Sequence, residues 1–273
     1  MRRPSADGGA PRQLLLLANV SQPPFRGPIL VALCALALSS AFNVHAALPL
    51  LCGNIGDHLP FAAIAAGAQF LIATNPPATL LLAWLAMLVS MMTPLIALPL
   101  AHVRASSLAG RRWRAAAGFL LGYFGVWALA AVPVLALAFA LRLVAGSASA
   151  ALLGAGLLAM IWSACPYQQA AQNRAHRLRR IGLFGLAADR DCFAFGARLG
   201  GWCLLSCWAW MLVPLFVSTG HIPAMFAVAV IVMTERLRGP GIPRWRVPVI
   251  AVTVLAWSRR MVSDSRGRAR GQV

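Results

Sequence analysis

The chain contains no lysine, a single glutamate and only six acidic residues among 273. Paired-carboxylate catalysis has almost no material to work with. The sequence also lacks a G-x-x-x-x-G-K-[ST] phosphate loop, an H-E-x-x-H zinc helix, a G-x-S-x-G nucleophile elbow and a G-x-G-x-x-G turn after a strand. ATP-driven pumping by this chain alone is excluded. Charged residues of any kind make up 11% of the chain, where a soluble domain carries roughly a quarter, while 60% of residues are hydrophobic and the mean hydropathy is +0.75. Too little polar surface remains to hold such a chain in water, so an integral membrane protein is expected.

What charge there is comes almost wholly from 24 arginines, giving a net charge of +18. In a soluble protein that balance suggests nucleic acid. Here the arginines lie in short runs between apolar segments, where they act as topological anchors, and no nucleic-acid partner is expected. Arginine without lysine points to a GC-rich bacterial source, and so to a multi-pass protein of the bacterial cytoplasmic (inner) membrane. Of six cysteines, Cys34, Cys165, Cys203 and Cys207 fall in or at the ends of apolar spans and Cys192 in an arginine-rich segment. Only Cys52 sits where an oxidising compartment is within reach, and no disulfide framework is expected. The opening MRRPSADGGAPRQ does not read as a signal peptide, because the apolar run Leu14–Val20 leads to Pro23, Pro24 and Arg26 rather than to a small-residue cleavage site.

Hydropathy places six spans at about 28–51, 77–100, 115–141, 150–166, 197–217 and 222–237. Residues 59–73 are apolar but only fifteen long, below the ~20 a helix needs to cross, and read as re-entrant or packed at the outer surface. The run 247–257 has eleven residues between arginines and reads as a short interfacial helix, with a seventh span as the alternative. The N-terminus, the loops 102–114, 167–198 and 236–246, and the C-terminus are rich in arginine, whereas 52–76, 142–149 and 218–221 together hold only Arg142. The expected fold is therefore all-α: a polytopic transmembrane helical bundle of about six spans with both termini cytoplasmic. Residues 1–27 form a basic cytoplasmic tail, 28–240 the transmembrane domain, and 241–273 the interfacial segment with a second basic tail.

The richest stretch runs from Gly196 to Arg236. Residues four apart share a helix face, so Cys203, Cys207 and Met211 form one stripe, each about 40° around from the last. His221 and Met225 repeat the spacing after the Ser218-Thr219-Gly220 break. Thiolate, thioether and imidazole suit soft transition metals such as copper or zinc. Two buried cysteines on one helix also serve as plain packing, and both readings stay open. The third ligand is open among Met211, His176 and Met225. Met87, Met91 and Met92 are either core filling or thioether stepping sites. Glu235 is a solvated helix end paired with Arg236 or Arg238, or an intramembrane proton acceptor. His176, three residues after Asn173, is a surface histidine or a ligand. His221 lies in a tight outer loop, with His45 and His58 expected near the same face.

The chain resembles a bacterial family of uncharacterised integral membrane proteins predicted to bind metal. The resemblance covers about 77–240. Its W-x-x-M-x-x-A-M-M-x-P segment is met by Trp84, Met87, Met91, Met92 and Pro94, with Ser90 in place of alanine. Its G-Y-x-x-x-W is met by Gly122, Tyr123 and Trp127. Its G-x-R-x-G-x-x-C-x-x-x-C-W-x-x-M is met by Gly196, Arg198, Gly200, Cys203, Cys207, Trp208 and Met211, followed by Met225 and Glu235-Arg236. Many relatives have cysteines where this chain has Ala171 and Ala175, and Cys-Cys-Trp where it has Ser206-Cys207-Trp208. The resemblance implies metal binding without a substrate or activity.

Three functions follow. The first is binding of a soft metal for transport, storage or delivery, with lipid bilayer and metal ion as partners. The second is a non-catalytic anchoring or assembly subunit, docked to a membrane-protein partner or to its own copies through Gly118, Gly122, Gly125, Gly154 and Gly156. The third is an intramembrane thiol redox protein; helical Cα atoms four apart, ~6 Å, lie at the edge of disulfide range.

Overall fold

A computed structural model describes residues 23–41, 69, 73, 76–217, 219–248 and 250–252. Among them there are helices and no strands. The elements are α1 (Pro23–Ala41), α2 (Pro77–Met92), a 3-10 turn (Thr93–Ile96), α3 (Ala97–Ala105), α4 (Arg112–Ala145), α5 (Ala148–Ala164), α6 (Pro166–Ala175), α7 (Gly185–Leu215) and α8 (His221–Leu237).

Each break has a local cause. Pro94 cannot supply the amide that would continue α2, so the chain tightens into the 3-10 turn before α3. Gly146 ends α4 in the left-handed region at φ +74°, and the Ser147 hydroxyl then accepts from the Ala150 amide at 3.2 Å to cap α5. Cys165 is extended because it precedes Pro166, which opens α6 as its first residue, and α5 and α6 meet at a bend of 69°. Pro133 is carried inside α4 on an outward-facing position.

Among the described residues three stretches are long and apolar enough to cross a membrane: Ala78–Ala105, Ala109–Ala145 and Gly185–Leu215. The bent pair α5–α6 makes a fourth if taken as one span. The 17 residues of α8 rise only about 25 Å, short of the ~30 Å hydrocarbon core. The apolar part of α1, Arg26–Leu38, is shorter still. Helix α1 begins at Pro23, inside the stretch assigned to the basic tail; the rest of that tail, residues 42–68 with Asn43, His45, Cys52 and His58, and residues 253–273 lie outside the described residues. So do most of the segments 59–73 and 247–257.

The fifth apolar segment starts earlier than hydropathy indicates. Asp189, Arg190 and Asp191 argue for a loop, yet α7 is helical from Gly185, and Cys192 lies buried in it rather than in a connection. Asp189 is neutralised by Arg111 at 2.6 Å and Arg114 at 2.7 Å, which ties the start of α7 to the start of α4. The two helices then run side by side in the same direction, and their seam is the most extensive in the fold. It closes because glycines face backbone there. A Cβ on Gly122 would overlap the Phe193 carbonyl, one on Gly196 the Phe119 carbonyl, and one on Gly200 would stand 2.8 Å from the Tyr123 carbonyl. Gly122 therefore serves the chain's own core, whereas Gly125 and Gly156 meet nothing within 4 Å.

The arginine-rich connections meet at one end of the bundle. His102 bonds the Arg179 carbonyl at 2.8 Å, Arg236 donates to the Ala175 carbonyl at 2.9 Å, and Arg246 reaches the side chains of Gln168 and Gln172, both at 3.0 Å.

Candidate metal centre

The α4–α7 seam delivers Tyr123 against the thiol stripe. Its hydroxyl donates to Cys203 Sγ at 3.2 Å, and Cys207 Sγ donates to the Cys203 carbonyl at 3.0 Å, with Ser206 Oγ on the same carbonyl at 2.8 Å. Cys203 and Cys207 are free thiols, 3% and 2% exposed. The helical four-spacing puts them on the buried face, as the sequence pattern implies. Met211 shares that face and is fully buried, and Met87, Met91, Met92 and Met225 belong to the same contiguous core. A second aromatic contact fixes the neighbouring seam: Trp84 Nε1 donates to the Trp127 carbonyl at 2.9 Å, with the two rings 6.4 Å apart. The residues that carry the motifs thus pack on one another.

The two histidines stand elsewhere. His221 opens α8 and its Nδ1 bonds the Pro214 carbonyl at 2.8 Å, seven residues beyond Cys207 along α7 and so about 10 Å away in helix rise. His176 caps α6 beside the Arg236 backbone. It is a surface residue, yet partial covering of its ring and the Arg236 charge hold its pKa below the usual histidine value, which keeps the imidazole neutral at pH 7. Among the described residues no group of three or more His, Cys, Asp or Glu side chains is placed to hold a metal ion. The soft donors that share the core with Cys203 and Cys207 are thioethers, with Met211 one helical turn beyond Cys207. That set fits Cu(I), which takes soft thiolate and thioether ligands; zinc wants four, drawn from thiolate, imidazole and carboxylate.

Glu235 is not a solvated helix end. It is 3% exposed and accepts from Gln168 Nε2 at 2.9 Å, with Ser163 beside it. Ser163 itself accepts from Trp210 Nε1 at 2.7 Å. Burial lowers the pKa of the half-covered Arg246 guanidinium, and the Glu235 charge opposes that shift. Gln168, Gln169 and Gln172 are all buried, and neither charge nor motif spacing marks them. Three amides within five residues of so apolar a chain are a signal: a side chain that needs hydrogen bonds stays inside only where partners wait. Ala171 and Ala175 are also on the buried side of α6.

Residues 81–260, about two thirds of the chain, match the family profile PpoB2, described as copper chaperone. The chain belongs to this copper chaperone family. No curated protein and no solved structure matches it. The matched region of this copper chaperone family member starts in α2 and includes the thiol stripe, the methionines of α2 and the whole Gln168–Glu235–Arg246 cluster.

Proposed function

We propose that this protein is a membrane copper chaperone that holds a Cu(I) ion through Cys203 and Cys207 and passes it on. The observation that carries the reading is the pair of buried thiols on one face of α7, set in a core that also holds Met211, Met225 and the methionines of α2. Copper is the cargo here, and soft donors without a third imidazole or carboxylate suit it better than zinc. Burial disfavours bare thiolates, so the cation stabilises the pair when it enters. The family assignment supports delivery over storage. The gathering of arginine-rich connections at one end of the bundle supports a cytoplasmic placement of that end, and with it six spans and cytoplasmic termini in a bacterial inner membrane.

The test is the metal content of detergent-purified full-length protein from cells supplied with copper and zinc. Wild type is expected to carry near-stoichiometric copper and little zinc, and the double variant Cys203→Ser/Cys207→Ser neither. Equal copper in both forms, or none in either, would leave these cysteines as packing residues and favour an anchoring role.

A further inference from the structure

A cleft at the arginine-rich end of the bundle takes no part in holding copper. Arg174, Arg177 and Arg179, from the end of α6 and the link after it, face Arg198 of α7 across a cavity of about 330 Å³ whose apolar floor includes Phe195 and Trp202. An adjoining cavity of about 750 Å³ shares Arg179 and Arg198 and adds Arg190. These volumes match the roughly 300–1,000 Å³ of small-ligand sites.

The charges in the cleft are not balanced from within. Arg174 stacks on the Trp202 ring at 4.7 Å. Among the described residues none of Arg174, Arg177, Arg179, Arg190 and Arg198 makes an ion pair. Asp189 is taken by Arg111 and Arg114, and Asp191, which lines the wider cavity, accepts from the Gly182 amide at 3.1 Å. Guanidinium groups crowded on one rim repel each other, and a shared anion relieves that repulsion. Their planar forks match phosphate oxygens two at a time. The exposed apolar lining decides which phosphate: Leu178 beside the smaller cavity and Leu186 beside the wider one are 57% and 79% exposed, and they offer nothing to a free anion but lie well along an acyl chain.

We propose that this cleft seats the phosphate of an anionic glycerophospholipid, with its chains running past the exposed Leu178 and Leu186. The proposal rests on the membrane placement argued above and is independent of copper. It differs from the general attraction of arginines to an acidic membrane surface, which depends on their number rather than their position.

The experiment uses full-length protein extracted from membranes and compares rebinding to nanodiscs of pure phosphatidylcholine with nanodiscs doped with phosphatidylglycerol. Lipid retained through gel filtration is identified by mass spectrometry. Wild type is expected to retain phosphatidylglycerol near-stoichiometrically and to ignore phosphatidylcholine. Arg177→Gln/Arg179→Gln should weaken retention by about tenfold or more, since charge-assisted hydrogen bonds are lost. Arg112→Gln/Arg244→Gln removes equal charge away from the cleft and should retain the lipid. Equal loss in both double variants would show diffuse attraction and overturn the site. Inorganic phosphate that displaces the lipid at millimolar concentration, or binds as tightly alone, would overturn the lipid assignment in favour of a free anion. If the glutamine pair fails to fold, single Arg177→Gln reads the same difference. Copper content should be unchanged in every variant. A chain recovered soluble without detergent would sink the membrane placement itself, whereas an extracted chain with no preference for phosphatidylglycerol sinks only this proposal.

Discussion

The Tyr123 hydroxyl donates to Cys203 Sγ across 3.2 Å, joining two positions 80 residues apart in the chain. The contact depends on the α4–α7 seam being close enough for a phenol to reach a thiol on the neighbouring helix. Tyr123→Phe keeps the ring and drops only the donor, so stability should fall by about 1 kcal/mol. Tyr123→Ala empties a fully buried site and should cost about 3–5 kcal/mol. Denaturation midpoints in one detergent check the order. If copper sits on Cys203, the phenylalanine variant should also lose affinity several-fold while keeping its stoichiometry; unchanged affinity would detach Tyr123 from the metal site.

The glycines of the seam separate two readings of the small residues. Gly196→Ala drives a methyl into the Phe119 carbonyl and should cost about 3 kcal/mol or more, because backbone rather than a pliable side chain must move. Gly125→Ala meets nothing and should be neutral or gain up to about 1 kcal/mol from helix propensity. An assembly subunit docked through Gly125 would instead lose its partner in that second variant, visible as a change in mass by light scattering.

Removing the carboxylate of Glu235 strands buried donors. Glu235→Ala should destabilise by about 1–3 kcal/mol, because Gln168 is left unsatisfied, and Glu235→Gln by less, because an amide oxygen still accepts. Arg246→Ala should loosen the segment 239–248 from α6. Limited proteolysis should then cut that segment several-fold faster, and an unchanged rate would show the segment held by other contacts.

Acid should cost a little stability through His176, an exposed C-cap residue whose ring is partly covered beside Arg236. Its folded pKa lies below the unfolded value, so the unfolded chain binds the proton more readily. Stability is full above the unfolded pKa, declines as pH drops below about 6.5, and levels off below the folded pKa. His176→Gln should flatten that part of the profile; a melting curve series with identical slopes for both proteins would show that other groups set it.

The thiol stripe was legible in the sequence because helical four-spacing needs no partner to interpret. The end of the fourth apolar segment at Pro166 was legible for the same reason, since proline acts locally. Residues whose role is set across the bundle were harder. Gly122 reads equally well as a docking surface until Phe193 is found against it. Asp189 marks a loop until Arg111 and Arg114, more than seventy residues earlier, neutralise it. The buried glutamines are not legible from spacing alone, because an amide carries no charge or sulfur and its partners Glu235 and Arg246 lie more than sixty residues away.

One further consequence belongs to Trp84 and Trp127. Two indoles held 6.4 Å apart at 50°, one of them bonded to the other's backbone, sit in a rigid asymmetric setting. Their near-ultraviolet circular dichroism persists only while α2 stays seated on α4. A detergent that swells the bundle erases that band and leaves the far-ultraviolet helical signal intact, as expected when specific packing is lost and the helices remain. The protein carries its own optical gauge of native packing, readable without a label and before any metal is added.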